Sequence, residues 1–114
     1  MIALNELRVG NWGIRNGYER FGAYMFAAEE NKYFNPIPLT AELLTQCHFE
    51  EIGTGENPDT GELETVYNNG AIYLSGINGS FYIKIGMERF SIPTVHRLQN
   101  LYFDLTGEEL AVRF

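Results

Sequence analysis

The residues in this sequence with the strongest potential for chemistry are Lys84, Arg89, His96 and Arg97, close together in the chain and all able to donate hydrogen bonds to an anion. Lys84 and Arg89 fall on predicted strands just ahead of the helix that carries His96 and Arg97. The four can therefore converge on a phosphate or carboxylate, with Trp12 or Tyr82 stacking on an attached base. This set describes a ligand-binding site for a small anion. Two structural roles compete with it: His96 and Arg97 suit the polar face of an amphipathic helix, and Trp12, beside Gly10 and Gly13, suits packing. His96 is also the residue on which a small hydrolase would be built, although no spacing names a nucleophile for it.

Other patterns begin like functional motifs and then fail. Gly53-Thr54-Gly55 opens as a dinucleotide-binding turn would, but Pro58 stands where its last glycine is needed and Glu56 would face the phosphates. Asn57, Asp59, Gly61, Glu62 and Glu64 bring oxygen ligands together without the spacing of a calcium loop. Cys47 and His48 are adjacent and His96 lies far away, which leaves a structural zinc site short of ligands. Glu108 and Glu109 are a carboxylate pair, but neighbours on a strand point to opposite faces. Cys47 reads as a small buried hydrophobe. No catalytic residue, metal or cofactor is expected.

The elements that must position these residues can be read from turn signals and periodicity. Residues 7–14 alternate and run into Asn16-Gly17, a tight-turn signal that predicts a hairpin with a return strand over Phe21 to Ala28. Pro36 and Pro38 break the pattern. Thr40 then caps a short helix whose apolar face is Leu43, Leu44 and Cys47. Strands are predicted over Phe49 to Ile52, Leu63 to Tyr67, Ala71 to Leu74, Phe81 to Ile85 and Glu88 to Ile92. Between the first two, Gly53 to Gly61 reads as an exposed polar loop, dispensable for folding. A helix is predicted over Thr94 to Thr106, with Val95, Leu98, Leu101, Tyr102 and Leu105 on its apolar face and Gly107 ending it. Glu109 to Phe114 alternates as a terminal strand would. The fold class is thus α+β, a small antiparallel sheet or partial barrel with two helices, the longer near the C-terminus and packed across one face of the sheet. With 114 residues the chain reads as a single domain.

Charge narrows the partners. The net charge is −7, and no Lys or Arg occurs between Tyr33 and Ile83, where seven acids lie. Such a face repels a phosphate backbone, which argues against duplex nucleic acid. The N-terminal residues lack a basic region and a sustained apolar run, and no stretch reaches the ~20 apolar residues of a membrane span. A cytoplasmic protein, in a bacterial host, is the expectation.

Three segments carry a resemblance: Asn5-Glu6-Leu7-Arg8-Val9-Gly10-Asn11-Trp12, then Phe34-Asn35-Pro36-Ile37-Pro38-Leu39-Thr40, and finally Val95 to Leu110, with the sequence VHRLQNLYFDLTGEEL. Together they resemble a group of small, functionally uncharacterised proteins encoded by gut bacteria and their phages. The resemblance implies a phage or mobile-element setting and brings no catalytic residues with it. In that setting the leading expectation is a non-enzymatic binding protein, an inhibitor of host antiviral defence that sequesters a nucleotide signal. A homo-oligomer would supply a concave site that one small domain lacks. The alternatives are an acidic protein that mimics nucleic acid or binds a host protein, a small hydrolase, and a virion component.

Overall fold

In a computed structural model, residues 2, 6–15, 17–22, 34–56 and 58–114 are described. They form two units interleaved along the chain, one of Met1–Pro38 with Thr94–Glu109, the other of Leu39–Pro93 with Leu110–Phe114. The class is α+β, with a two-stranded and a five-stranded antiparallel sheet and two helices, the longer near the C-terminus.

In the first unit, β1 (Trp12–Ile14) pairs antiparallel with β2 (Tyr18–Arg20) across a turn in which Gly17 adopts φ +104°. The return strand is Tyr18–Arg20, ahead of the expected Phe21 to Ala28, and Phe21 and Gly22 lie outside it. Residues 23–28 of the expected strand lie outside the described residues. Ile14 also exchanges backbone hydrogen bonds with Asn35 on its other side. Phe21 and Phe34, with ring centroids 5.3 Å apart, pack in a cluster with Ile2 and Leu7. Gly13 belongs to this contact: a Cβ there would lie 2.6 Å from Phe34 Cε1 and 2.9 Å from the Asn35 carbonyl oxygen. The proline-flanked segment joins the unit through Ile37, whose carbonyl accepts from Val95 N at 2.9 Å.

The long helix α2 (Val95–Thr106) packs against β1. It ends as its sequence predicts, with Gly107 at φ +73° donating to the Phe103 carbonyl. Its buried face is the expected apolar stripe in part, with Leu101 and Tyr102 half-buried. Val95 and Leu98 are fully buried, but His96 and Gln99 are buried with them, and Leu105 is exposed. The buried face extends toward the polar side because the Gln99 amide finds partners inside the unit.

In the second unit, Thr40 Oγ1 accepts from Leu43 N at 3.2 Å and starts α1 (Ala41–Gln46). His48, in the left-handed region at φ +65°, ends it. His48 N donates to the Thr45 carbonyl and Phe49 N to the Leu44 carbonyl, the paired bonds of a Schellman cap. Five strands follow as an antiparallel meander: β3 (Glu50–Glu56), β4 (Leu63–Asn68), β5 (Tyr73–Ile77), β6 (Ser80–Ile85) and β7 (Glu88–Ser91). Asn78-Gly79, both at positive φ, make the two-residue turn between β5 and β6.

Two sequence expectations are corrected here. The polar loop predicted from Gly53 is strand as far as Glu56, because Gly53, Thr54, Gly55 and Glu56 pair in register with Val66, Thr65, Glu64 and Leu63. Removing Thr54 to Thr60 would therefore cut a paired strand. The terminal residues 109–114 form no strand; Arg113 N donates to the Gln46 carbonyl, at the end of α1.

The Gly13 contact is testable. Gly13→Ala should cost about 1–3 kcal/mol in urea denaturation, since the Phe34 ring and a backbone carbonyl must both give way. Gly55→Ala, where nothing lies within 4 Å of the added atom, should change stability by less than about 0.5 kcal/mol.

Candidate functional site

The structure spends much of the first unit's polar chemistry on itself. Arg8 donates through Nε to Asn100 Oδ1 at 2.7 Å, through Nη1 to Glu109 Oε1 at 2.6 Å and through Nη2 to the Gln99 carbonyl at 3.1 Å. Its guanidinium also lies 4.7 Å from the centre of the Phe103 ring. Asn100 Oδ1 accepts a second bond from Asn11 Nδ2 at 2.9 Å, and Asn100 Nδ2 donates to the Glu6 carbonyl at 2.7 Å. Gln99, one residue earlier, donates to the Gly10 carbonyl at 3.1 Å and accepts from Trp12 N at 2.7 Å. Asn11 and Gln99 are almost wholly buried, and burial is tolerable because their amides are paired.

Three of the predicted site residues, Arg97, Trp12 and His96, lie beside this arrangement. Arg97 is exposed and forms an ion pair with Glu6. Trp12 is half-buried, with Arg20 lying 5.4 Å from its ring centre. His96, expected on a polar helix face, is only 2% exposed. Its Nδ1 contacts Thr94 Oγ1 at 3.1 Å, and Nε2 is buried without a partner among the described residues. Burial holds the His96 pKa below its ordinary value of 6.5; Glu6 nearby pulls upward and Arg97 downward, and burial prevails. Cys47 is buried, and burial pushes its thiol up to about 12, which removes it as a nucleophile at neutral pH.

In the second unit, the structure brings Lys84, Arg89 and Tyr82 together. Lys84 and Arg89 are direct cross-strand partners on β6 and β7, and the Arg89 guanidinium lies 6.0 Å from the Tyr82 ring centre. Strand alternation puts Tyr82, Lys84 and Arg89 on one face with Val66, Tyr73, Ser75 and Ser91. Tyr73, 63% exposed and diagonal to Tyr82, was missed in the sequence. Its place follows from the β5–β6 register, which the position of the Asn78-Gly79 turn dictates. Lys84 and Arg89 are exposed, and neither has an ion-pair partner among the described residues.

The opposite face of the sheet carries a cleft of about 480 Å³ where the start of α1 crosses it, lined by Leu39, Thr40, Thr54, Thr65, Tyr67 and Phe81 among others. The described residues contain no group of three or more His, Cys, Asp or Glu placed to hold a metal ion, and no helix is long and apolar enough to cross a membrane. No protein-family model, curated protein or solved structure matches the chain.

Two outcomes separate structural from ligand-binding roles. Asn100→Ala should destabilise the protein by about 1–3 kcal/mol, because it leaves Arg8 Nε, Asn11 Nδ2 and the Glu6 carbonyl without their partner. Arg97→Ala, which breaks an exposed pair, should cost no more than about 1 kcal/mol. The pH dependence tests His96. The unfolded chain takes up a proton near the ordinary value of 6.5, while the folded histidine resists it to lower pH. Stability from this group is therefore full above that value and falls as pH drops below it. His96→Gln should flatten the denaturation midpoint between about pH 7 and 5 relative to wild type.

Proposed function

We propose that this protein acts by binding, without catalysis, and that its ligand is a nucleotide held on the sheet face of Lys84, Arg89, Tyr82 and Tyr73. The observation that carries this reading is the Lys84–Arg89 pair, two like charges directly opposite one another on neighbouring strands. Like charges so placed repel, at a cost to the sheet. An anion between them turns that repulsion into two charge-assisted hydrogen bonds. Tyr82 and Tyr73 share the face of the pair, and an aromatic side chain there is a candidate to stack on a base.

An exposed sheet face does not enclose a small ligand by itself. A second copy of the chain, closing over the same face, would supply the missing wall. In the phage setting that the sequence resemblance implies, such a protein would sequester a nucleotide signal of host antiviral defence in the bacterial cytoplasm.

Calorimetry against linear and cyclic nucleotides tests the reading. Lys84→Ala and Arg89→Ala should each weaken binding by about 1–3 kcal/mol without loss of fold. Arg97→Ala separates this face from the wider cationic set, and binding should survive it. If no nucleotide binds more tightly than millimolar, or if both variants bind as wild type does, the site is wrong and a protein partner is the better reading.

A further inference from the structure

The cleft on the other face of the five-stranded sheet has the opposite chemistry. Its volume of about 480 Å³ falls within the ~300–1,000 Å³ of small-molecule sites. Gly76 keeps it open. A Cβ at that position would lie 3.2 Å from Tyr67 Cε2 and 3.3 Å from Phe81 Cε1, so the bare backbone preserves the space beside two rings that meet edge to face, with centroids 5.9 Å apart.

The polar wall has a direction. Thr54 Oγ1 donates to Glu51 Oε1 at 3.3 Å and lies 3.0 Å from Thr65 Oγ1. A hydroxyl has a single proton to give, and an ionised carboxylate only accepts. With the Thr54 proton on Glu51, Thr65 is the donor to Thr54. The Thr65 oxygen is left with lone pairs only, so a group that reaches it has to be a donor. Because the chain of bonds ends on a negative charge, it is polarised toward a positively charged donor. The surrounding field has the same sign: Glu51 and Glu56 share a sheet face with Thr54 and Thr65, and no Lys or Arg occurs from Phe34 to Tyr82. Burial raises the pKa of Tyr67 in the cleft lining, and the Glu51 charge acts in the same direction.

We infer that this cleft binds a small organic ammonium, with the protonated amine donating to Thr65 Oγ1 and an apolar body lying against Tyr67, Phe81 and Leu63. The site is independent of the nucleotide reading, since it uses the other face of the sheet and the opposite ligand charge.

Three compounds of one shape and different charge serve as probes: phenethylamine, 2-phenylethanol and 3-phenylpropionate, titrated into the whole chain and followed by amide chemical shifts. Phenethylamine should bind about tenfold more tightly than the alcohol, and the carboxylate should not bind. The shifts should centre on Thr54, Thr65 and Gly76. Thr65→Val keeps the shape of the side chain and removes the acceptor; it should weaken phenethylamine about tenfold. Gly76→Val, with fold verified from the same spectra, should abolish binding by filling the space. Equal binding of the carboxylate and the amine, shifts elsewhere in the chain, or unchanged affinity in Thr65→Val would each overturn the inference.

Discussion

The side-chain amide of Asn100 ties the segment from Glu6 to Asn11 to α2 through three hydrogen bonds, and the geometry around it is over-determined. Its oxygen accepts from Arg8 Nε and Asn11 Nδ2, while its nitrogen donates to the Glu6 carbonyl. Gln99 beside it does the same for Gly10 and Trp12. A polar group taken out of water costs free energy unless its partners are met. Sliding α2 by one residue along β1 would strand both amides at once. The lattice therefore sets the register of helix against strand, a task that the short and half-polar buried face of α2 could not perform through apolar contact alone. The burial of His96 follows: with Gln99 turned inward, the residue one helical turn before it turns inward as well.

That constraint changes the meaning of the residues that look most functional. The segments that carry the sequence resemblance supply Glu6, Arg8, Asn11, Trp12, Arg97, Gln99, Asn100 and Glu109, and in the structure these groups bond to one another. Arg8 and Arg97, each paired with a carboxylate, are largely neutralised. A distinctive string of polar residues can thus record an internal hydrogen-bond lattice as well as a binding site.

The five-stranded sheet divides its chemistry by strand alternation. One face gathers Tyr73, Tyr82, Lys84 and Arg89; the other gathers Glu51, Thr54, Thr65, Gly76 and Phe81. Charges of both signs are present within a few residues of one another in sequence around β6 and β7, yet cross-strand register places Lys84 opposite Arg89 while Glu88 faces the other way with Ile85 and Phe90. The bulge at Ile52 serves the same sorting, because it restores Thr54 to the face of Glu51 and Thr65.

The sequence by itself determined the elements whose signals are local. Thr40 as a cap, Gly107 as a stop and the strands over Leu63 to Tyr67 and Phe81 to Ile85 depend on backbone preferences within a few residues, so they were legible without the fold. The closeness of Lys84, Arg89 and Tyr82, three of the six candidate residues, was legible too, because two neighbouring strands joined by a short turn must bring them close. What only the tertiary structure decided are the features that depend on distant partners. Gly53 to Glu56 looks like loop by composition and becomes strand because β4 offers it a ladder. His96 looks like surface by polarity and is buried because Gln99 and Asn100 find acceptors and donors some ninety residues away. Thr65 shows no special chemistry in sequence, and only the sheet register brings its hydroxyl within 3.0 Å of Thr54, which in turn meets Glu51. Local backbone energetics act over a few residues, whereas the pairing of a buried polar group is satisfied by whatever the fold brings to it.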